Sequence, residues 1–171
     1  MMIVCVLSLI ISLFLQGGIS NFLGYTISNL SIFSAVYVLI NLVVIQQYFE
    51  DSKKNLILII VFGLLMDQVY TNTCILCTCI FIVIYYFNKL LNFFLPYNLF
   101  TVNLFSLLSM VVYHLFSFLI LVILGFDSYG LLILFKVIGC NIIMTIIYTS
   151  ILYLVIDYIY KRFDLKIIRD K

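Results

Sequence analysis

The chain has 171 residues, of which 66% are hydrophobic and only 9% charged, with a formal net charge of +2 and a mean hydropathy of +1.30. A soluble domain of this length could not bury so much apolar side-chain surface, and the apolar runs approach the roughly 20 residues that cross a bilayer. The composition therefore excludes an ordinary soluble domain and predicts an integral membrane protein.

Six apolar stretches are separated by clusters of charged and turn residues. They cover residues 2–15, 30–48, 55–70, 73–87, 101–124 and 131–160. All six are predicted to be helices, because an open strand cannot satisfy its backbone hydrogen bonds in hydrocarbon. The predicted fold is an all-α, polytopic membrane bundle of about six transmembrane helices. It forms one domain over residues 1–160, followed by a basic cytoplasmic tail at 161–171.

The distribution of positive charge predicts the orientation of this bundle. Eight of the nine Lys and Arg residues lie after the second, fourth and sixth stretches, in segments that share one side of the membrane: Lys53, Lys54, Lys89, Lys161, Arg162, Lys166, Arg169 and Lys171. Cytoplasmic loops carry such an excess of basic residues. A multi-pass protein of the cell membrane with both termini in the cytoplasm is therefore expected. The ninth basic residue, Lys136, lies inside the sixth stretch.

Asp67 is an acidic residue near the end of the third apolar stretch. A carboxylate at membrane depth costs roughly 2.5 to 3.5 kcal/mol on insertion scales, so it calls for a specific role. It could close the hairpin with the fourth helix by accepting hydrogen bonds from backbone N–H groups freed at the turn near Thr73. It could instead pair with Lys136, expected at comparable depth, or belong to a proton or ion pathway.

Other polar residues inside the apolar stretches have two interpretations. His114 could relay protons or bind a ligand, or it could be a neutral residue hydrogen-bonded to Asn141, Tyr148 or a backbone carbonyl. Asn103, Asn141 and Thr145 are expected to make interhelical contacts worth about 0.6 kcal/mol each.

The sequence lacks the residue patterns of common enzymes and metal sites. The cysteines of Cys74-x-x-Cys77-x-Cys79 are interpreted as small packing residues, because the single histidine lies far from them and zinc needs four convergent ligands. No Ser/His/Asp arrangement, paired carboxylates or glycine-rich phosphate loop is present in the sequence. The chain is therefore predicted not to be an enzyme, with no cofactor, metal, nucleic acid or small-molecule substrate.

The hairpin around Asp67 resembles that of the MreD family of bacterial rod-shape-determining membrane proteins. The family pattern Gly-x-x-x-Asp-x-x-x-x-x-Thr resembles the spacing of Gly63, Asp67 and Thr73 in this chain. The chain is also similar to family members in its length and in its number of predicted spans. The resemblance implies a non-enzymatic scaffold of the cell-elongation and peptidoglycan-synthesis complex. It would bind an MreC-like protein and, through it, MreB, the RodA glycosyltransferase and a penicillin-binding transpeptidase, with membrane lipid around it.

A second class of small six-helix membrane proteins offers an alternative function, the substrate-binding S components of energy-coupling-factor vitamin transporters. Such a protein needs a polar ligand pocket near its outer side, which Asp67, His114 and Lys136 could form. The candidate structural or partner-binding residues are Gly63, Asp67, Thr73, His114, Lys136 and Asn141.

Overall fold

The computed structural model describes residues 2–26, 36–48, 52–71, 75–92, 98–123, 125 and 131–162. All regular structure in these residues is helical, which confirms the predicted all-α class. The helices are α1 (Met2–Thr26), α2 (Tyr37–Tyr48), α3 (Ser52–Met66), α4 (Leu76–Leu91), α5 (Leu99–Ile123) and α6 (Leu131–Arg162). One π-helical turn, Asp67–Thr71, follows α3 directly.

Two predicted helix ends were wrong. We expected the first helix to end at residue 15, but α1 continues through Gly17 and Gly18 to Thr26. Each glycine weakens a helix by about 1 kcal/mol without removing a backbone hydrogen bond, so apolar surroundings can hold the helix together. We expected the fourth helix to end at residue 87, but α4 reaches Leu91, because Asn88 is buried and bonds to Ser109 of α5 instead of forming a turn.

The helices pack as three pairs of chain neighbours, α1 with α2, α3 with α4, and α5 with α6. The short helix α2 lies at the centre and contacts each of the other five helices. Its side chains are buried on every face from Tyr37 to Gln47. This central position explains why a helix of 12 residues is stable, since its packing replaces the stability that a short isolated helix lacks.

Polar side chains lie inside this bundle and apolar side chains lie on its surface. Among the described residues, the fully buried polar ones are Ser12, Asn41, Asp67, Asn88, Ser106, Ser109 and Thr149. By contrast, Leu132 is 79% exposed and Phe14 is 73% exposed, as are many other large apolar residues. Monomeric soluble proteins rarely expose contiguous apolar surface on this scale.

Two helical segments are long and apolar enough to cross a membrane, Leu99–Ile120 in α5 and Leu134–Ile159 in α6. Three further segments are apolar but shorter, Ile3–Ile19, Tyr37–Tyr48 and Leu76–Leu91. The helix lengths thus point to association with a membrane through two helices. The arrangement with six spans stays a prediction.

Candidate functional site

The carboxylate of Asp67 lies at the contact between α3 and α4, where it is fully buried. Its Oδ1 atom accepts a hydrogen bond from the backbone N–H of Cys77 at 2.8 Å. Its Oδ2 atom accepts bonds from the backbone N–H of Thr78 at 3.1 Å and from the Thr78 hydroxyl at 2.8 Å. We call Gly63, Asp67, Cys77 and Thr78 the Asp67 clamp.

Asp67 takes the place of the missing N-terminal cap of α4. The N-cap residue, Ile75, has no side chain that can accept a hydrogen bond, although the first N–H groups of any helix need acceptors. Cys77 and Thr78 are the second and third residues of α4, whose N–H groups a capping side chain normally binds. The positive end of the α4 dipole also stabilises the negative charge of the carboxylate. Hydrogen bonding at the hairpin is therefore the arrangement of Asp67 in the structure.

Gly63 lies one helical turn before Asp67 and allows α3 and α4 to approach each other closely. A Cβ atom at this position would lie 2.9 Å from both the Cα and the Oγ1 atoms of Thr78. Because the Cα atom belongs to the backbone, a rotation of the Thr78 side chain would not relieve that contact. Gly63 and Asp67 thus act on the same residue of α4, and their spacing of four has a physical explanation.

Cys77 of the clamp and the nearby Tyr70 join the hairpin to α5 and α1, respectively. The Sγ atom of Cys77 lies 3.6 Å from the hydroxyl oxygen of Tyr113 in α5. On the other side, Tyr70 in the π-helical turn donates a hydrogen bond to the backbone carbonyl of Leu13 in α1. A Cβ atom at Gly17 would collide with this Tyr70 hydroxyl. The clamp therefore lies where three neighbouring parts of the bundle meet.

The ion pair between Asp67 and Lys136, one of the alternatives considered for Asp67, is absent from the described residues. Asp67 is buried between α3 and α4, whereas Lys136 is exposed on α6, a helix that packs against α5 and α2. The two groups share neither a helix contact nor an environment. The two residues were expected at a comparable depth in the membrane. Depth alone does not predict a contact, because it says nothing about the helix face on which a side chain lies.

Among the described residues, His114 bonds to neither Asn141 nor Tyr148, which were two of the partners considered for it beside a backbone carbonyl. The amide nitrogen of Asn141 donates to the Val137 carbonyl of its own helix at 2.8 Å, and the Tyr148 hydroxyl contacts Ser12. His114 is buried, and its Nε2 atom has no hydrogen-bond partner within the part of the chain that is described. The Val137 carbonyl lies four residues before Asn141 in the same helix and is therefore always close to it. It competes well with side chains of other helices for the hydrogen bond of Asn141.

The remaining sequence candidates are spread over the bundle. Asn103 makes the expected interhelical contact, donating to the Ser150 hydroxyl of α6 at 3.3 Å. Cys77 is buried but Cys79 is exposed, so these two thiols lie in different environments. Thr73 and Cys74 lie outside the described residues.

A polar cluster that the sequence analysis missed joins α1, α2 and α6. The amide nitrogen of Asn41 donates to the hydroxyls of Ser12 at 2.6 Å and Ser8 at 3.2 Å. The Ser12 oxygen lies 2.7 Å from both the Tyr148 hydroxyl and the Ser8 carbonyl. Ser8 and Ser12 are four residues apart on an apolar helix, and this spacing on one helical face was the available signal.

The direction of these hydrogen bonds argues against a proton pathway through the cluster. A carbonyl oxygen only accepts, so the one proton of the Ser12 hydroxyl goes to the Ser8 carbonyl. Tyr148 must then donate to Ser12, and the chain of donors ends at a backbone carbonyl. The cluster of Ser8, Ser12, Asn41 and Tyr148 therefore connects helices and offers no onward acceptor for a proton.

Within the described residues, the sequence candidates do not converge on a metal site, and the groove on α1 contains none of them. An open groove of about 340 Å³ on α1 is lined only by apolar residues and glycine, namely Ile11, Phe14, Leu15, Gly18 and Ile19. Within the described ranges, no three His, Cys, Asp or Glu side chains come together as a metal site requires. A comparison with protein-family models, curated proteins and solved structures finds no match to this chain.

Proposed function

We propose that the chain is a non-enzymatic, multi-pass membrane scaffold of the bacterial cell-elongation complex, acting by binding an MreC-like protein and other membrane partners. The proposal combines the resemblance to the MreD family with the geometry of the Asp67 clamp. The clamp is the observation that carries it.

The role of the clamp is structural. Asp67 uses both carboxylate oxygens to hold the first turn of α4, and Gly63 provides the close approach that this requires. The family-like pair of Gly63 and Asp67 thus maintains a hairpin whose outer faces can be presented to a partner. A carboxylate committed to backbone donors is poorly placed to bind a substrate or carry protons.

The distribution of side chains, with polar ones inside the bundle and apolar ones on its surface, supports the placement of the whole bundle in a membrane. In lipid, helices associate through close packing and a small number of hydrogen bonds. The Asp67 clamp and the contacts of Asn41, Asn88 and Asn103 are of that kind. Apolar residues cover the outside, where hydrocarbon would surround them. Six spans are proposed on this basis, including helices that are shorter than a straight crossing requires.

The described basic residues support an orientation with both termini in the cytoplasm. In a bundle whose six helices each cross the membrane once, the start of α3, the end of α4 and the end of α6 lie on one side. Those three places carry the exposed residues Lys53, Lys54, Lys89, Lys161 and Arg162. An excess of Lys and Arg marks the cytoplasmic side of membrane proteins.

The alternative function as a vitamin-binding S component gains no support from the geometry. Asp67 and Lys136 lie on different helix contacts, and the groove on α1 lacks polar side chains. A pocket for a polar vitamin needs convergent polar groups. The scaffold is therefore the function that we carry forward.

Depletion of the protein in its native host tests the scaffold directly. A rod-shaped cell should become round or swollen, and crosslinking should capture an MreC-like protein with the wild-type chain. Complementation by the conservative Asp67→Asn variant should exceed that by Asp67→Leu at equal protein levels. Normal cell shape after depletion, together with tight retention of a vitamin by the purified protein, would replace the scaffold by the transporter component.

A further inference from the structure

Lys136 is an exposed cation on α6. Only 17% of the apolar segment of α6 is buried inside the structure, compared with 33% of the apolar segment of α5. Asp157 follows Lys136 by 21 residues, which is about 32 Å along a helix and matches a hydrocarbon core of about 30 Å. When Asp157 and its ion-paired partner Lys161 lie at one membrane surface, the Lys136 ammonium lies at the headgroups of the other.

A shallow slot follows Lys136 along the same face of α6. Gly139, Cys140 and Ile143 come three, four and seven residues later, a spacing that places them on one face of a helix. All three are exposed. Apart from its two chain neighbours and the adjacent backbone of α6, no atom of the described residues lies within 4 Å of the position where a Cβ atom of Gly139 would be. Phe135 beside the slot is 68% exposed.

We propose that this face binds an anionic phospholipid, with its phosphate at the Lys136 ammonium and one acyl chain along Gly139 and Cys140. Charge complementarity favours this occupant, since Lys136 forms no ion pair with another described residue while phospholipid headgroups surround it at this depth. At its end of the bundle it is also the only Lys or Arg within the described ranges. The binding surface thus combines one cation with an exposed apolar slot on the same helix face.

The test uses the full-length purified protein in detergent, with phosphatidylglycerol or phosphatidylcholine of identical acyl chains added and bound lipid counted by native mass spectrometry. The wild-type chain should retain more phosphatidylglycerol than phosphatidylcholine. Lys136→Gln should lower that retention about fivefold, the effect of one lysine near an anionic surface. Lys161→Gln is the matched control on the same helix. It should change retention less than twofold, because the Lys161 ammonium is already neutralised by Asp157 at 2.7 Å.

A second variant tests the slot separately from the charge. Gly139→Leu fills the open space at an exposed position where an added Cβ atom meets no neighbour, so it should reduce retention of both lipids while the fold stays intact. A photoactivatable phosphatidylglycerol should form adducts between residues 132 and 147 in the wild-type chain and lose them in Lys136→Gln.

Several results would overturn the proposal. They are equal retention of the two lipids, equal losses in Lys136→Gln and Lys161→Gln, or no effect of Gly139→Leu. A crosslink from Cys140 to a protein helix in place of the lipid probe would assign the face to a protein partner. The inference rests on the proposed membrane placement and not on the elongation role. Carbonate extraction of the chain from membranes distinguishes the two, because release into the soluble fraction would contradict the placement itself.

Discussion

The carboxylate of Asp67 accepts hydrogen bonds from both the backbone N–H and the hydroxyl of Thr78, so one acidic side chain of the preceding segment holds the first turn of α4. An acidic residue inside an apolar sequence thereby gains a role that needs neither a counter-ion nor a substrate. The three donors also explain how a carboxylate is tolerated in a fully buried position, because each replaces a hydrogen bond to water.

Substitutions of Asp67 should separate hydrogen bonding from size. Asp67→Asn keeps one acceptor oxygen and should lower stability moderately. Asp67→Leu leaves the donors on Cys77 and Thr78 unmet at about 1 to 3 kcal/mol each, so it should be the less stable variant. Thermal unfolding of the purified variants in one detergent measures the order. Equal losses in the two variants would indicate that negative charge is the property required.

Gly63→Ala should destabilise the hairpin although alanine is the better helix former. The added methyl group meets the Cα atom of Thr78 at 2.9 Å, and overpacking of this kind costs about 1 to 3 kcal/mol. Gly139→Ala is the matched control, because it adds the same methyl group in open space and should be neutral or slightly stabilising. Unfolding midpoints of the two variants compare them, and similar values would mean that α3 and α4 are not in close contact at Gly63.

The contact between Ser12 and Tyr148 should contribute a small and measurable coupling energy. A double-mutant cycle with Ser12→Ala and Tyr148→Phe isolates the pair, and we expect about 0.6 kcal/mol, the average for such bonds in membrane helices. Because Asn41 donates to both Ser8 and Ser12, Asn41→Leu should cost more than either substitution. Additive effects in the cycle would show that Tyr148 and Ser12 do not interact.

Single-cysteine labelling should place Lys89 and Lys136 on opposite sides of the membrane. In a chain whose native cysteines are replaced by serine, Lys89→Cys should react with an impermeant maleimide only from the cytoplasmic side. Lys136→Cys should react from the outside, since the 25-residue helix α5 separates the end of α4 from the start of α6. Labelling of both positions from one side would rule out the proposed topology.

The sequence predicted the helical class and the approximate position of each helix. Continuous apolar runs provide this information, because helix formation satisfies backbone hydrogen bonds within a single segment. The end of α1 was missed because Gly17 and Gly18 have a high local tendency to break helices, whereas packing of the whole bundle decides whether they do so. The helical conformation of Asn88 was missed for a similar reason. Asparagine favours turns locally, whereas the buried hydrogen bond to Ser109 holds Asn88 within α4.

The importance of Asp67 and Gly63 was also visible in the sequence, since a charge in an apolar run has few structural solutions. Only the tertiary structure decided which solution applies. The donors at Cys77 and Thr78, the outward position of Lys136 and the pairing of Ser12 with Tyr148 depend on how far each helix is rotated and shifted against its neighbours. That rotation results from many packing contacts between distant parts of the chain, so local patterns of residues do not contain it.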